Sequence, residues 1–554
     1  MERPIRSAHS AATRYLCVGG ELDEAFARRV IGELIDEQFR VVAPSYGVDV
    51  VPVAQHCLKA QRRRAIRDAA LTALLLGELV LAPLPAAVAI LLAAWARWAF
   101  RLAPRGIGGV AVVLAVVAFA VATVAWFQYG DELLATPAGP ALRVSGLERV
   151  GAFLISLPAI AVLAGLINFI EWHTARMLVG AQLRADSFEP NAMAATLSPR
   201  VRRRLEVIRR EQYRQVTVYH SSAEFPFVGA GQVLRDSMWS FALDLHRKAD
   251  ALLGGPQEIS PFEPMDLYTH VEHRLLALRD PGLGQAYCLP DLAISDEVFV
   301  SGLTGWDSMP APVRLARVPI TREEIVAITN VPVGLFRHFK CLRVESWGGE
   351  LVISVFLHFA TQGRTLYVEF TPCLLPPILP EYHLVDAWPF PTWEERWQAA
   401  GDALGRGVSM LLTAPGRLIG SQRLAADAGR RARDIQRRAS RGQIFDLGAR
   451  VSVRELGATP EPDHYFQWLD ARKYLRTLEV QILNGITEFL ESRGIDTSEL
   501  HARQATILNT GTFMPGATIQ GQAIAIGKAP TASVWGARPA AASSAGTASG
   551  GKTA

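Results

Sequence analysis

Two long uncharged apolar segments constrain this chain more than any other feature. Residues 109–127 and 150–170 contain no Asp, Glu, Lys or Arg over 19 and 21 residues. At 1.5 Å per helical residue they measure roughly 28 and 31 Å, which matches a hydrocarbon core of about 30 Å. Both segments are therefore predicted to be transmembrane helices, with Pro158 tolerated inside the second.

A third apolar segment, residues 69–96, allows two interpretations. Pro83 and Pro85 divide it into halves that are each too short to span a bilayer. It forms either one kinked helix, which gives three crossings, or a hairpin that enters and leaves on one side, which gives two. The hairpin is favoured by charge, because it places ten basic residues on the inner side and two on the outer side. A long tilted helix is the commoner use of such a stretch, so both topologies stay open.

These segments predict a multi-pass protein of the inner (plasma) membrane with both termini in the cytoplasm. The basic residues between Lys59 and Arg67 precede the first segment and are expected to touch anionic lipid headgroups of the bilayer. Glu78 is an ionisable residue inside an apolar segment and is therefore a candidate for a transport role. A solvated position near the headgroups is the more ordinary explanation for it.

The composition fits a membrane protein with a large soluble part. Half of the residues are hydrophobic, 20% are charged and the mean hydropathy is +0.17, whereas soluble domains average about 25% charged residues. The 57 basic and 53 acidic residues give a net charge of +4, so no nucleic-acid partner is expected. Five widely spaced cysteines indicate free thiols in a reducing compartment.

The soluble part is predicted to have an α+β fold. Residues 341–345, 351–359 and 365–370 are apolar, alternating segments joined by short turns, as in an antiparallel meander. Two further segments, 215–220 and 238–245, also alternate like strands. Helices are expected to cover one face of this sheet.

The predicted organisation divides the chain into seven regions. In chain order they are residues 1–68, a small N-terminal cytoplasmic region; 69–170, the membrane region; 171–213, connecting helices; 214–391, the α+β domain; 392–445, a basic amphipathic helical segment broken at Pro415; 446–529, a C-terminal helix with a short glycine-punctuated β tail; and 530–554, a disordered tail.

One group of residues suggests nucleophilic catalysis. His220, Ser221 and Ser222 lie at the end of a predicted strand, with Asp236 or Asp244 as the acid. Neighbouring His and Ser side chains rarely face each other, and no GxSxG motif is present. No catalytic residue is assigned on this pattern.

The glycines and histidines give weak signals for ligands. Gly229-Ala230-Gly231 follows a strand and could hold a phosphate, but the rest of a P-loop is missing, so a turn is the simpler interpretation. His270 and His273 are three residues apart on a predicted helix, with Cys288 nearby in sequence. A metal site needs further ligands, so neither a metal nor another cofactor is predicted. Trp388, Trp393 and Trp397 either line a ligand groove or pack a domain edge.

Part of the chain resembles a group of known sequences. The segments YRQVTVYHSSAEFPFVGAG (213–231) and FLESRGIDTSELHARQATILNTGTFMPGATIQGQAIAIG (489–527) are similar to segments of uncharacterised actinobacterial multi-pass membrane proteins. The resemblance implies a membrane location and a bacterial source. It implies no activity and no role for any residue.

Three functions are compatible with these patterns. The leading hypothesis is a membrane-anchored cytoplasmic scaffold or sensor that binds a protein partner or its own copies through a C-terminal helix bearing Phe466 and Ile482. The alternative is a membrane-associated, hydrolase-like enzyme that uses the loop 220–236. The third is a transport component that uses Glu78.

Overall fold

The computed structural model describes the chain in nine stretches. These are residues 11–81, 146–190, 197–247, 259–283, 288–304, 320–331, 334–387, 390–441 and 443–510. The chain forms one compact unit, Met1–His501, and a second unit from Ala502. The fold is α+β with a mixed sheet, which confirms the predicted class.

Helices and strands alternate irregularly along the chain. The helices are α1 Ala11–Leu22, α2 Glu24–Ile31, α3 Val50–Leu81, α4 Gly146–Gln182, α5 Pro199–Glu211, α6 Pro264–Leu276, α7 Arg322–Thr329, α8 Leu384–Ala387, α9 Trp393–Ser440, α10 Val453–Leu456, α11 Tyr465–Ser492 and α12 Ser498–Thr510. The strands are β1 Val216–Tyr219, β2 Gln232–Val233, β3 Trp239–Asp244, β4 Leu292–Ser301, β5 Leu303–Thr304, β6 Phe336–Ser346, β7 Leu351–Gln362, β8 Thr365–Leu375 and β9 Phe445–Asp446.

The central sheet has the order β1-β4-β6-β7-β8-β2, and β3 also pairs with β8. Its pairs are antiparallel except for β1 with β4. The predicted meander forms β6, β7 and β8, each longer than its sequence segment. Ten consecutive residues of β7, from Leu351 to Ala360, are buried, which requires cover on both faces of the sheet.

The two faces of the sheet are covered differently. The helix-covered face packs against α6, α7 and α11, where Tyr268 of α6 meets His338 at 4.8 Å between ring centroids. The loop-covered face lies under residues 220–231 and Tyr46, and its core includes Phe339 and Phe356. Neighbouring residues of a strand point to opposite faces, so β6 contributes alternately to both cores.

Three long helices, α3, α4 and α9, pack together beside the sheet domain. Leu71, Ala164, Leu411 and Ala414 are buried among them. Gly165 permits close approach, because a Cβ there would contact the backbone of Leu404 at 3.2 Å. Small residues at helix contacts allow backbones to come together in this way.

Helix α9 is continuous through Pro415, so the predicted break is wrong. Proline removes one backbone donor and normally kinks a helix. The side chain of Arg417 donates to the carbonyl of Met410 at 3.1 Å, and the same guanidinium binds Asp68 of α3. These contacts hold the helix across the proline.

Two of the basic residues before the first apolar segment, Arg63 and Arg67, belong to a largely buried ion-pair network. Arg63 binds Glu21 at 2.7 Å and Glu171 at 3.1 Å. Arg67 binds Asp68 at 3.0 Å, and Arg417 reaches Asp68 at 2.8 Å. We call these six side chains the arginine network; it joins α1, α3, α4 and α9.

The predicted membrane segments are not supported by the structure. Within the part of the chain that the structure describes, no helix combines the length and apolar character that crossing a bilayer requires. This finding contradicts the predicted transmembrane helices, the membrane part of the predicted fold and the predicted location as a multi-pass protein of the inner (plasma) membrane. Segment 150–170 is instead part of α4, where Ala164 packs against α3 and α9.

Of the other two predicted segments, one is described in part and the other is not described. Residues 69–81 are the C-terminal end of α3, and the remainder of 69–96 lies outside the described residues, as does 109–127. Glu78 lies on α3, and its side chain is likewise outside the described part. The predicted β tail begins differently, because residues 505–510 belong to helix α12.

Candidate functional site

A cavity of about 520 Å³ lies on the loop-covered face of the sheet. Its wall is formed by β3, β4, β6, β8 and the loop after β1. The lining residues are Tyr219, Phe225, Pro226, Phe227, Met238, Trp239, Ser240, Phe299, Leu335, Arg337, Phe339, Glu369 and Thr371. We call it the aromatic cavity, because six of these side chains are Phe, Tyr or Trp.

The aromatic wall is built around Phe227. This ring stacks on Phe356 with 4.2 Å between centroids. It meets Phe299 and Phe339 edge-on, at 5.2 and 5.3 Å. Stacked and edge-to-face pairs are the favourable arrangements of aromatic rings, so the four side chains hold each other in place. The wall is therefore a formed surface before any ligand binds.

The loop that carries Phe227 is fixed by a carboxylate from a distant helix. The backbone N–H groups of Gly229 and Gly231 both donate to Oε1 of Glu455, at 2.8 and 3.1 Å. Both glycines have positive φ, +96° and +86°, and a Cβ at Gly231 would overlap the carbonyl of Leu374. The Gly229-Ala230-Gly231 pattern is a turn whose two amides bind the protein's own carboxylate, which leaves them unavailable to a phosphate.

Three polar side chains lie in one corner of the loop-covered face. The strand register places His358 of β7 beside Glu369 of β8, and Phe339 and Glu369 both line the cavity. The His358 ring lies 5.0 Å from the Phe339 ring. Arg337, two residues before Phe339 on β6, also lines the cavity. The aromatic wall thus ends in a cation and a carboxylate, and the buried His358 lies beside that carboxylate on the neighbouring strand.

The protonation of His358 follows from its surroundings. Its Nδ1 lies 2.8 Å from the carbonyl oxygen of His338, which can only accept, so Nδ1 carries the hydrogen. Burial lowers the pKa of His358, so the ring is neutral at neutral pH. Its Nε2 then carries a lone pair and can only accept a hydrogen bond.

A second polar cluster lies behind the cavity, on the helix-covered face. Asp296 accepts from His338 at 2.9 Å and from Lys340 at 2.6 Å, and Lys340 also binds Glu272 of α6 at 2.8 Å. Although burial opposes it, these partners lower the pKa of Asp296 to about 2. The cluster attaches α6 to the sheet and supports the strands that carry the cavity residues.

The serine-histidine group predicted from the sequence does not form a catalytic triad. Ser222 Oγ and Asp446 Oδ2 approach the same nitrogen of His220, Nδ1, at 2.7 and 3.6 Å. The other nitrogen, Nε2, lies 3.2 Å from the guanidinium of Arg450, which can only donate. A triad requires the serine and the acid on opposite nitrogens, so His220 has no free position for a serine proton.

The remaining residues of that hypothesis have other contacts. Ser221 donates its backbone N–H to Asp446 at 2.7 Å, which ties the loop to β9. Asp244 accepts from the hydroxyl of Thr365, and Asp236 lies in an exposed turn before β3. The structure therefore does not bring either predicted acid to His220.

The histidine pair on α6 does not form a metal site in the described residues. No group of three or more His, Cys, Asp or Glu side chains that could hold a metal ion is found there. The His270 ring packs against Phe489 at 5.5 Å, and Glu272 between the two histidines binds Lys340. His270 therefore packs against an aromatic side chain, and Glu272 is committed to Lys340.

The predicted tryptophan group is only partly described. Trp393 and Trp397 pack edge-to-face at 5.4 Å at the start of α9, and both are more than 60% exposed. Trp388 lies outside the described residues. The two described rings contribute nothing to the aromatic cavity.

Sequence reasoning missed two polar residues that line the cavity, Arg337 and Glu369, and the histidine beside them. Arg337, His358 and Glu369 occupy three different strands and have no motif spacing. Each stands on the same side of its strand as an aromatic or small residue of the loop-covered face. A register for β6, β7 and β8 could have identified them, because the sequence segments already alternate.

Comparisons with known proteins give one match. Residues 238–523 match the family model of the AbeC-like domain, which is more than half of the chain. No curated protein and no solved structure matches. The matched region contains β3, β4, β6 and β8 of the cavity, whereas Tyr219 and residues 225–227 precede it. The chain belongs to the AbeC-like domain family.

Proposed function

We propose that this protein is a sensor that binds a small molecule in the aromatic cavity. The ligand has a flat or apolar body and a polar end. The observation that carries this proposal is the combination of a formed aromatic wall and a polar corner with Arg337 and Glu369 in the lining and His358 beside Glu369. Ligand sites in proteins are typically cavities of about 300–1,000 Å³ lined by apolar side chains with few polar groups.

The polar corner defines what the ligand must carry. Arg337 favours a carboxylate, sulfonate or carbonyl oxygen, because a guanidinium only donates hydrogen bonds. The Glu369 carboxylate favours a donor, such as a hydroxyl or an amide N–H. A molecule with both groups at one end of an aromatic body matches the site.

A fluorescent probe with this chemistry tests the proposal. The probe 8-anilinonaphthalene-1-sulfonate has fused rings and an anionic end, and its emission rises in apolar surroundings. We expect saturable binding by the wild-type protein. Ser240→Trp places a large ring in the cavity and should weaken binding about tenfold, which corresponds to about 1.4 kcal/mol.

Ala242→Trp is the matched control, since Ala242 is an exposed residue on the same face of β3 that does not line the cavity. It should change binding less than about twofold. Circular dichroism establishes that both variants are folded. Equal binding by wild type and Ser240→Trp, or equal losses in both variants, would refute the proposal.

A second function, association through α11, is supported by one exposed surface. Tyr465, Phe466 and Leu469 are 71%, 64% and 47% exposed at the start of α11. Large apolar side chains that cluster on a surface commonly mark contacts with other proteins. Ile482, the other residue predicted for such a contact, is fully buried and belongs to the core.

This difference gives the test of association. Phe466→Asp should leave the protein folded and reduce the native mass from that of an assembly to that of a single chain. Ile482→Asp should instead destabilise the fold by several kcal/mol, about 4 or more, because it buries a carboxylate. A native mass equal to one chain for the wild-type protein would exclude self-association through α11.

A further inference from the structure

A second cavity, of about 820 Å³, lies between α5 and α9. Residues 35–39, which follow α2, close one side of it. Arg200, Arg203, Arg204, Arg210 and Arg214 line it from α5 and the turn beyond. We call it the arginine groove. It is separate from the aromatic cavity, and the two share no lining residue.

The groove lies in the most basic part of the chain. Residues 199–214 contain seven arginines and two carboxylates, and residues 423–441 of α9 and the following turn contain the same numbers. These two segments therefore carry a net charge of +10, whereas the whole protein carries +4. The overall balance that argued against a nucleic-acid partner conceals a strong local asymmetry.

Several of these arginines are not neutralised within the described residues. Arg200 and Arg203 are exposed and have no carboxylate within 4.0 Å there. Arg210 pairs only with Glu206 on its own helix, and both side chains are more than half exposed. Exposed ion pairs of this kind contribute little to stability, so the arginine can readily exchange its carboxylate for another anion.

Arg204 has a different role, because it shapes the groove. Its guanidinium donates to the carbonyls of Leu34, Glu37 and Arg40 at 2.8, 3.3 and 3.4 Å. It thereby fixes residues 35–39 against α5. The neighbouring Arg431 of α9 binds Glu37 at 3.2 Å, so the same segment is also tied to α9.

The floor of the groove is small and open. Ala425, Ala428 and Gly429 of α9 form it, and a Cβ at Gly429 would meet no atom within 4 Å. Phe39 is the single aromatic residue among the lining residues. Single-stranded nucleic acids are usually held by several stacked aromatic rings, whereas phosphates are held by arginines.

We propose that the arginine groove and the adjoining basic part of α9 bind the phosphate backbone of a nucleic-acid duplex, without reading its sequence. The basic surface is too long for a lone phosphate: α5 measures about 20 Å, and the α9 part, from Arg423 to Ser440, about 27 Å. Duplex DNA presents about one charge per 1.7 Å of its axis. Arginines spaced along two helices match this repeated charge.

Fluorescence anisotropy with a labelled DNA duplex of about two helical turns tests the proposal. The wild-type full chain should bind it, and the affinity should fall steeply between about 50 and 200 mM salt. Arg200→Glu with Arg203→Glu should weaken binding about tenfold or more and reduce the salt slope by about two. Gly429→Trp fills the floor without changing charge and should also weaken binding.

The matched control reverses the charge of two exposed arginines outside the groove. Arg28 and Arg406 each pair with a carboxylate four residues away, at Glu24 and Asp402, and neither lines the groove. Arg28→Glu with Arg406→Glu changes the net charge equally and should reduce affinity much less than the groove variant. Circular dichroism establishes folding for all variants.

Four results would overturn the proposal. They are the absence of duplex binding at about 50 mM salt, equal losses in the groove and control variants, tighter binding of a single strand than of the duplex, and binding of ATP or phosphatidylglycerol vesicles without binding of the duplex. The last result would reassign the groove to small phosphates or to lipid headgroups. Each result is obtained from the same set of proteins.

Discussion

At the scale of single residues, the polar corner of the aromatic cavity carries two side chains of opposite character. Arg337 only donates hydrogen bonds, whereas the carboxylate of Glu369 accepts them. The buried His358 lies beside Glu369 in the strand register, and its Nδ1 is committed to the carbonyl of His338. The donor at Arg337 and the acceptor at Glu369 give the cavity a direction.

Glu455 holds the loop that carries Phe227 of the aromatic wall. Glu455→Ala removes the acceptor for the amides of Gly229 and Gly231 and the partner of Ser452 in the cap of α10. Each amide left without a partner costs about 1–3 kcal/mol. We expect the free energy of unfolding to fall by about 2–4 kcal/mol in urea titrations.

Glu461→Ala is the control for this prediction. Glu461 is exposed, and its side chain has no hydrogen bond within the described residues. Its replacement should change the free energy of unfolding by less than about 0.5 kcal/mol. Equal effects of the two substitutions would show that Glu455 does not hold the loop.

The buried His338 predicts a pH dependence of stability. Its Nε2 binds Asp296, and its Nδ1 is buried with no partner among the described residues, so a second hydrogen would find no acceptor there. Burial lowers the pKa of His338 below its ordinary value of about 6.5. Below about pH 6.5, His338 of the unfolded chain binds a proton, whereas the buried His338 of the folded chain stays neutral until a lower pH. The free energy of unfolding therefore falls as the pH falls. His338→Gln should therefore lose less stability than wild type between about pH 7.5 and 5.5.

His383 provides a control of opposite sign. The hydrogen bond from its Nε2 to Glu350, at 2.8 Å, raises the pKa of His383. The protonated His383 therefore stabilises the folded state below the pKa of the unfolded chain, and this stabilisation is lost as the pH rises. Because His383→Gln lacks the gain on acidification, the variant should lose more stability than the wild type when the pH is lowered. Asp296 titrates at about 2 and does not act in this range. The urea midpoint of unfolding is measured for the wild type and both variants at the two pH values. If the two variants changed in the same direction relative to the wild type, the roles given to His338 and His383 would be wrong.

At the scale of secondary-structure elements, the arginine network explains why the membrane prediction was wrong. A basic flank followed by apolar segments is typical of a membrane protein. Here Arg63, Arg67 and Arg417 are matched by Glu21, Asp68 and Glu171. The apolar faces of α3 and α4 meet α9, which lies more than 200 residues further along the chain. No local pattern distinguishes an apolar helix that packs on other helices from one that packs on lipid.

The network also predicts coupling between α3 and α9. Asp68→Ala removes the carboxylate that Arg417 binds and one of those near Arg67, which keeps Glu171 at 3.6 Å. The change should cost about 3 kcal/mol, because it breaks a largely buried ion pair. Asp68→Ala with Arg417→Met should recover part of this loss. Asp402→Ala, which removes an exposed partner of Arg406, should cost less than about 1 kcal/mol. Additive effects of Asp68→Ala and Arg417→Met would argue against the coupling.

At the scale of the whole molecule, the sequence predicted what depends on local periodicity. The α+β class and the strands β6, β7 and β8 follow from alternating apolar residues joined by turns. The site does not follow from local periodicity, because its parts are distant in sequence. Glu455 binds Gly229 across 226 residues, and Asp446 binds Ser221 across 225. His220 and Ser222 were identified as a pair from their proximity in sequence, but that proximity places both the serine and Asp446 on one nitrogen.

The claim that the aromatic cavity binds a ligand can be tested at one side chain. Met238 lines the cavity and is 43% exposed, and it is one of eight methionines. In protein labelled with ¹³C at the methionine methyl groups, its NMR signal is assigned by its loss in Met238→Leu. Titration with 8-anilinonaphthalene-1-sulfonate should move the Met238 signal and leave Met177, Met265 and Met410, which lie elsewhere, unchanged. A bound probe that leaves Met238 unmoved would contradict the central claim.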